Sequence, residues 1–142
     1  MRNNNKVTVA VGYNPMTNRI WVASKIIELV KEGTSDIYII NSDQKIAGDV
    51  LDTVRDMTKD DAEYQHHVMR HNIQIHQMAP EDINEIGEAV QAGRGAILAN
   101  SIFSIPLRAL TKLRQHNMPV FIGTTPSQLK GIDNEDVELR YL

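Results

Sequence analysis

Apolar and polar positions alternate between two periods along this chain, and the first change of period falls between Lys6 and Asn18 (KVTVAVGYNPMTN). Val7, Val9 and Val11, with the small Ala10 among them, predict a strand buried on both faces, as an inner strand of a parallel sheet must be. Gly12 stops the run and lets the chain turn where a side chain would obstruct it. Asn14 and Pro15 then predict a helix start, with Asn14 as N-cap and Pro15 at the first helical position. From Pro15 to Glu32 the stripe Ile20, Ala23, Ile27 and Val30 recurs at helical spacing, and Gly33 stands where a left-handed cap would end the helix. Asp36 to Asn41 (DIYIIN) is β-branched and aromatic, a second strand, so the opening reads as a βαβ unit with a right-handed crossover.

Gln44 to Met57 carries Ala47, Val50, Leu51 and Val54 at helical spacing. Thr58 to Asp61 predicts a fresh N-terminal cap, continued as helix from Ala62 to Arg70. Asn72 to Met78 (NIQIHQM) alternates, which suits an edge strand with one wet face. A third helix is predicted over Pro80 to Ala92, then a short buried strand over Ala96 to Asn100. Ser104 caps a further helix with the stripe Leu107, Leu110 and Leu113, and Pro119 to Gly123 (PVFIG) is a last strand, its proline best tolerated at a sheet edge. Five strands alternating with helices predict an α/β fold, a parallel doubly wound sheet with helices on both faces. The order 3-2-1-4-5 would place the most apolar strands inside. Residues 1–142 read as one domain, with a disordered start at 1–5 and a polar, acidic tail at 124–142. The strand-like end of that tail, Val137 to Leu142, is expected to pack on the domain or on a partner.

A length of 142 residues permits a substantial core, and a net charge of -3 with a pI near 5.9 offers no basic excess to replace counterions. Nucleic acid and anionic membranes are therefore not expected as partners. The absence of cysteine removes disulfides, thiolate catalysis and cysteine-held metals. No apolar run reaches membrane-spanning length and the start lacks a signal-peptide core, so a cytoplasmic location is expected.

Several α/β sites are excluded by residue type. Neither G-x-G-x-x-G nor G-x-x-x-x-G-K-[ST] occurs, and Val11-Gly12 stands where a receiver domain would cluster aspartates. His67 and His71 lie four apart on a helix, near His66 and His76, but no carboxylate or cysteine completes a metal motif, and no metal site is expected. The carboxylates from Asp49 to Glu63 suit a solvated helix face, as do Arg108, Lys112 and Arg114, whose basic face leaves room for a small anionic partner. Ligands of open α/β sheets bind beyond the carboxyl ends of the strands. That rule points to Gly12, Tyr13 and Asn14 after the first strand, Asn41 after the second, and Asn100, Ser101 and Ser104 after the fourth. They are the candidate binding residues, in a crevice above strands 1 and 4.

VTVAV with its loop and long helix, DIYIIN, ILANS and HNMPVFIG together resemble the universal stress protein family in pattern and order. The opening VAVGYNPMTNRI, with Arg19 on its helix, is most similar to the universal-stress-like domain of bacterial potassium-sensor histidine kinases. The resemblance implies a non-catalytic stress or signalling domain that binds a small nucleotide, another anionic ligand or a protein partner. It also implies a homodimer formed through the last strand, Pro119 to Gly123. ATP-binding members carry an aspartate after the first strand and G-x2-G-x9-G-[ST] after the fourth. Gly12 replaces the former, and Phe103, Leu113 and Arg114 fall on the latter, so ATP binding of the family kind is expected to be weakened or lost. The alternative is a nucleotide-binding α/β hydrolase-type enzyme using the Gly12 and Asn100 loops. It lacks a nucleophile–base pair.

Overall fold

The computed structural model describes residues 7–41, 43–82, 95–100, 119–128 and 137–142. Its centre is a six-stranded parallel sheet made of β1 (Val7–Val11), β2 (Asp36–Ile40), β3 (Gln74–Met78), β4 (Gly95–Ala99), β5 (Val120–Thr124) and β6 (Val137–Tyr141). Three helices, α1 (Pro15–Lys31), α2 (Gln44–Thr58) and α3 (Ala62–Arg70), pack together over one face. The α/β architecture and the parallel sheet are therefore as predicted.

The strand order is not. It runs β3-β2-β4-β5-β1-β6, six strands rather than five, with β4 and β5 separating β2 from β1. Ordering strands by apolarity failed because β1 and β4 are wholly buried and β2 and β5 nearly so, which leaves that criterion nothing to discriminate. The tail completes the arrangement. Val137 to Tyr141 pairs in parallel with β1, Val7 opposite Val137 and Val11 opposite Tyr141, and covers the edge that β1 would otherwise expose. The strand containing Phe121, expected at an edge, is interior and paired on both sides, to β4 and β1. The sheet edge expected at Pro119 to Gly123, on which the expected dimer through that strand depends, is therefore absent: β5 is paired on both sides.

Side-chain alternation divides the core in two. Val7, Val9 and Val11 share one face with Tyr38, Ile40, Ile97, Ala99, Val120 and Ile122. Ile37, Ile39, Ala96 and Leu98 face the helices, meeting Val22, Ile26 and Leu29 of α1 and Val50 of α2. The buried stripe of α1 is Asn18, Val22, Ala23, Ile26, Leu29 and Val30, whereas Ile20 is exposed and Ile27 half-buried. The predicted stripe was thus rotated, because α1 carries apolar residues on most sides and touches both the sheet and its two neighbouring helices. At its sheet side Trp21 meets the Phe121 ring edge-on at 6.3 Å, and the Lys25 ammonium lies 5.6 Å from each ring. For α2 the predicted Ala47, Val50 and Val54 are buried, and Leu51 is half-buried.

The helix ends follow the local chemistry closely. Asn14 Oδ1 accepts from Met16 N at 2.8 Å with Pro15 opening the helix. Gly33 takes φ 84° while its N–H reaches Val30 O and that of Thr34 reaches Leu29 O, both at 3.0 Å, the paired bonds of a Schellman end. Asn72 (φ 50°) plays the same part after α3, which is why β3 starts at Gln74 rather than at Asn72. Over the helix predicted at Pro80 to Ala92, a 3-10 turn spans Pro80–Asp82 and the rest lies outside the described residues. The helix predicted after Ser104, with its basic face, lies outside them too. Among the described residues no helix is long and apolar enough to cross a membrane.

Asp61 caps α3 through Tyr64 N at 3.0 Å and receives Lys31 Nζ at 2.8 Å from α1. The Lys31 hydrogen bond first, and the Tyr64 amide second, hold the Asp61 carboxyl below its ordinary value of 3.8. A depressed carboxyl stabilises the fold above its unfolded pKa and loses that contribution as pH falls through the folded value. Asp61→Asn keeps the cap and removes the charge, so it should flatten the acid limb of a melting-temperature profile while changing stability near pH 7 only modestly. An unchanged acid limb would show that this pair does not couple folding to pH.

Candidate functional site

The carboxyl ends of β4 and β5 meet the amino-terminal turns of α1 and α2 around a cavity of about 240 Å3 lined by Pro15, Asn18, Arg19, Ile46, Asp49, Asn100, Thr124 and Thr125. The crevice was expected above strands 1 and 4, but β5 lies between those two strands, and the cavity takes Asn100 from the end of β4 and Thr124 and Thr125 from the end of β5, with no residue of β1 in its lining.

Two glycines set how closely α1 approaches the strand ends beside the cavity. A Cβ on Gly12 would overlap Asn18 Oδ1, and one on Gly123 would come within 3.0 Å of Val22 Cγ2 and 3.2 Å of Asn100 Oδ1. Both glycines thus let α1 sit close against the strand ends. Gly12 does not need a left-handed backbone. Its role is to leave room for Asn18, whose amide donates from Nδ2 to Gly12 O at 3.2 Å. The turn is pinned further by Gly12 N to Thr124 O at 3.0 Å and by Leu142 N to Val11 O at 2.9 Å.

Polar groups on these walls are incompletely matched. Asn18 is only 3% exposed, and its Oδ1 is buried without a hydrogen-bond partner. The Nε of Arg19 is also buried and unpartnered, while its Nη2 contacts Met16 Sδ at 2.8 Å. The ion pair from Arg19 Nη1 to Asp49 Oδ2 is long, 4.0 Å, and Asp49 is shared with Lys45 Nζ at 3.4 Å. A guanidinium held in this manner retains unused donor capacity, since Arg offers five N–H groups in a planar fork.

Of the predicted residues, Asn41 and Asn100 do meet: they end the neighbouring strands β2 and β4, and Asn41 Oδ1 lies 3.5 Å from Asn100 N. Asn41 is fully buried, so it holds the strand ends together beside the cavity, and Asn100 lines it. Gly12 acts through Asn18. Tyr13 is 86% exposed and does not line the cavity, and the Asn14 side chain is engaged as a helix cap. Ser101 and Ser104 lie outside the described residues. Asn18, Asp49, Thr124 and Thr125 were not singled out by the sequence reading. One signal for Asn18 was present, a polar residue four before Val22 and eight before Ile26 on the face that is buried.

The described histidines form no comparable site. The rings of His67 and His71 stack at 5.6 Å and His76 stacks on Tyr38 at 4.7 Å, with its Nε2 3.2 Å from Asp36 Oδ1. Among the described residues no three potential ligands converge on a metal position. Compared with known proteins, the chain matches no family model and no curated sequence.

Proposed function

We propose that this chain is a non-catalytic binding domain whose ligand is a small metabolite bearing one anionic group and neighbouring hydroxyls, held in the cavity between the ends of β4 and β5 and the first turns of α1 and α2. The observation that carries the reading is Arg19, a guanidinium at the cavity wall with a buried, unpartnered Nε and only a long ion pair to Asp49. A phosphate or carboxylate would take the fork that Asp49 occupies poorly, because charge-assisted, bidentate contacts to Arg are the strong ones. Asn100 and Thr125 line the same cavity and put amide and hydroxyl groups beside the uncharged part of the ligand, with Thr125 Oγ1 also 3.2 Å from Ser127 Oγ.

Size favours a small occupant. Cavities for drug-sized ligands run from about 300 Å3 upward, and this one, at about 240 Å3, is below that range. A nucleoside triphosphate is a poor fit, in keeping with the missing glycine pattern after the fourth strand. The described lining also offers no nucleophile with a base beside it, which favours binding over the hydrolase alternative. The universal-stress resemblance would give such binding a signalling role in the cytoplasm. The observed strand order departs from the arrangement expected with that resemblance, so the proposal rests on the cavity.

A thermal-shift comparison of glycerol 3-phosphate, AMP and ATP tests it. At ten times its dissociation constant a ligand stabilises by about 1.4 kcal/mol, a rise of about 4 °C for a domain of this size. Glycerol 3-phosphate should produce the larger rise, and Arg19→Gln should abolish it without lowering the melting temperature of the free protein by more than a few degrees. Stabilisation by ATP alone, or equal stabilisation of Arg19→Gln, would overturn the assignment.

A further inference from the structure

We propose that the ligand of this cavity is a zwitterion, with an ammonium group beside its anionic one, and that Asp49 is the residue that selects it. The inference rests on the anion site at Arg19 and adds to it the second charge of the cavity wall. Among the described lining residues the charged side chains are Arg19 of α1 and Asp49 of α2, with Arg19 Nη1 4.0 Å from Asp49 Oδ2. A charge-assisted hydrogen bond spans about 2.7–2.9 Å, so neither group is satisfied by the other.

An anion that takes the Arg19 fork arrives beside a carboxylate. Like charges at this range repel, and water screens them least where both groups are partly withdrawn from it, as the 28% and 37% exposed side chains of Arg19 and Asp49 are. Lys45 does not remove the difficulty. Its Nζ lies 3.4 Å from the same Oδ2, but its side chain is 81% exposed, and an ion pair in that setting contributes little. Both cations contact Oδ2, which leaves Asp49 Oδ1 without a partner among the described residues.

An ammonium group next to the anion turns this repulsion into attraction and brings three N–H donors for Asp49 to accept. A short spacer between the two ligand charges suits wall charges 4.0 Å apart, and a cavity of about 240 Å3 suits a molecule of that size. The class comprises small hydroxyl-bearing α-amino acids and amino-alcohol phosphates. Carboxylate and phosphate share the chemistry that Arg19 recognises, and the choice of probes separates them.

Isothermal titration calorimetry with two matched pairs tests the assignment: serine against glycerate, and ethanolamine phosphate against 2-hydroxyethyl phosphate. In each pair an ammonium group stands in the first member where the second has a hydroxyl. The ammonium members should bind on the order of tenfold more tightly, and the tighter pair identifies the anion. Asp49→Asn keeps the side-chain shape at a half-buried position. It should erase the tenfold ratio by weakening the ammonium members and strengthening the hydroxyl ones, whereas Arg19→Gln should weaken all four. Equal or tighter binding of the hydroxyl members to the parent would overturn the zwitterion and leave the anion site standing, a result that needs no variant. A ratio that survives in Asp49→Asn would overturn the role of Asp49. Binding of none of the four would remove the anion site itself, and this inference with it.

Discussion

Replacing Gly12 by alanine is expected to destabilise the domain by about 1–3 kcal/mol, the range typical of overpacking, and to weaken ligand binding with it. A methyl group there overlaps Asn18 Oδ1, and Asn18 has little freedom to yield. It is buried on α1, its Nδ2 is bound to Gly12 O, and the next turn of the same helix face is Val22, packed in the core. The carbonyl of Asn18 also lies 3.3 Å from the Cβ position of Gly123, so a shift of this turn is resisted on a second side. Strain at Gly12 must therefore be relieved by moving the start of α1, and with it Arg19. A double-mutant cycle isolates the cause. Asn18→Ala alone should cost about 1 kcal/mol for the lost hydrogen bond, and in that background Gly12→Ala should cost only a few tenths, with Leu142 Cδ1 left at an ordinary 3.4 Å. Equal costs of Gly12→Ala in both backgrounds, by urea unfolding, would show that the overlap with Asn18 is not what fixes glycine at this position.

The second large effect is expected from ending the chain after Asp136. That truncation removes β6 and uncovers β1, whose Val7, Val9 and Val11 are at most 1% exposed in the whole protein. It also removes the packing of Val137 and Leu139 on that cluster and the bond from Leu142 N to Val11 O that pins the Gly12 turn. Two half-buried aliphatic side chains contribute about 2 kcal/mol together, and the unpaired edge of β1 adds several backbone groups that only water would then satisfy. A loss of about 3 kcal/mol or more, with visible aggregation from the bare β1 edge, is the expected outcome. A truncated protein that melts within 2 °C of the parent would mean that the tail is an appendage rather than a strand of the domain.

What could be read from the sequence follows the range of the interactions that decide it. Asn14-Pro15, Gly33 and Asp61 mark helix ends through bonds to residues within five positions; the first two act as read, and the cap read across Thr58 to Asp61 falls on Asp61 while Thr58 still belongs to α2. The strands themselves were legible because β-branched runs bounded by turn residues have few alternative uses. Their order was not, because pairing between β1, β5 and β6 joins residues more than 100 positions apart, and no local pattern records it. The same division holds at the site. Asn41, Asn100 and Gly12 were found as strand ends, and the first two do meet. Asp49 reads as one of many surface carboxylates until α2 is folded beside α1, which brings it to Arg19. Thr124 was read as the start of a tail and is instead the buried end of β5.

The most direct measurement of the central claim is the nitrogen-15 resonance of the Arg19 Nε–H group, followed by NMR as glycerol 3-phosphate is added. In the free protein this N–H is buried and unpartnered. A saturable shift of that resonance, accompanied by the backbone amides of Asn100, Thr124 and Thr125 and absent from the exposed Arg55, is the expected result. A shift that never saturates, or one of equal size at Arg55, would mean that the phosphate senses only surface charge, and would contradict a binding site at the ends of β4 and β5.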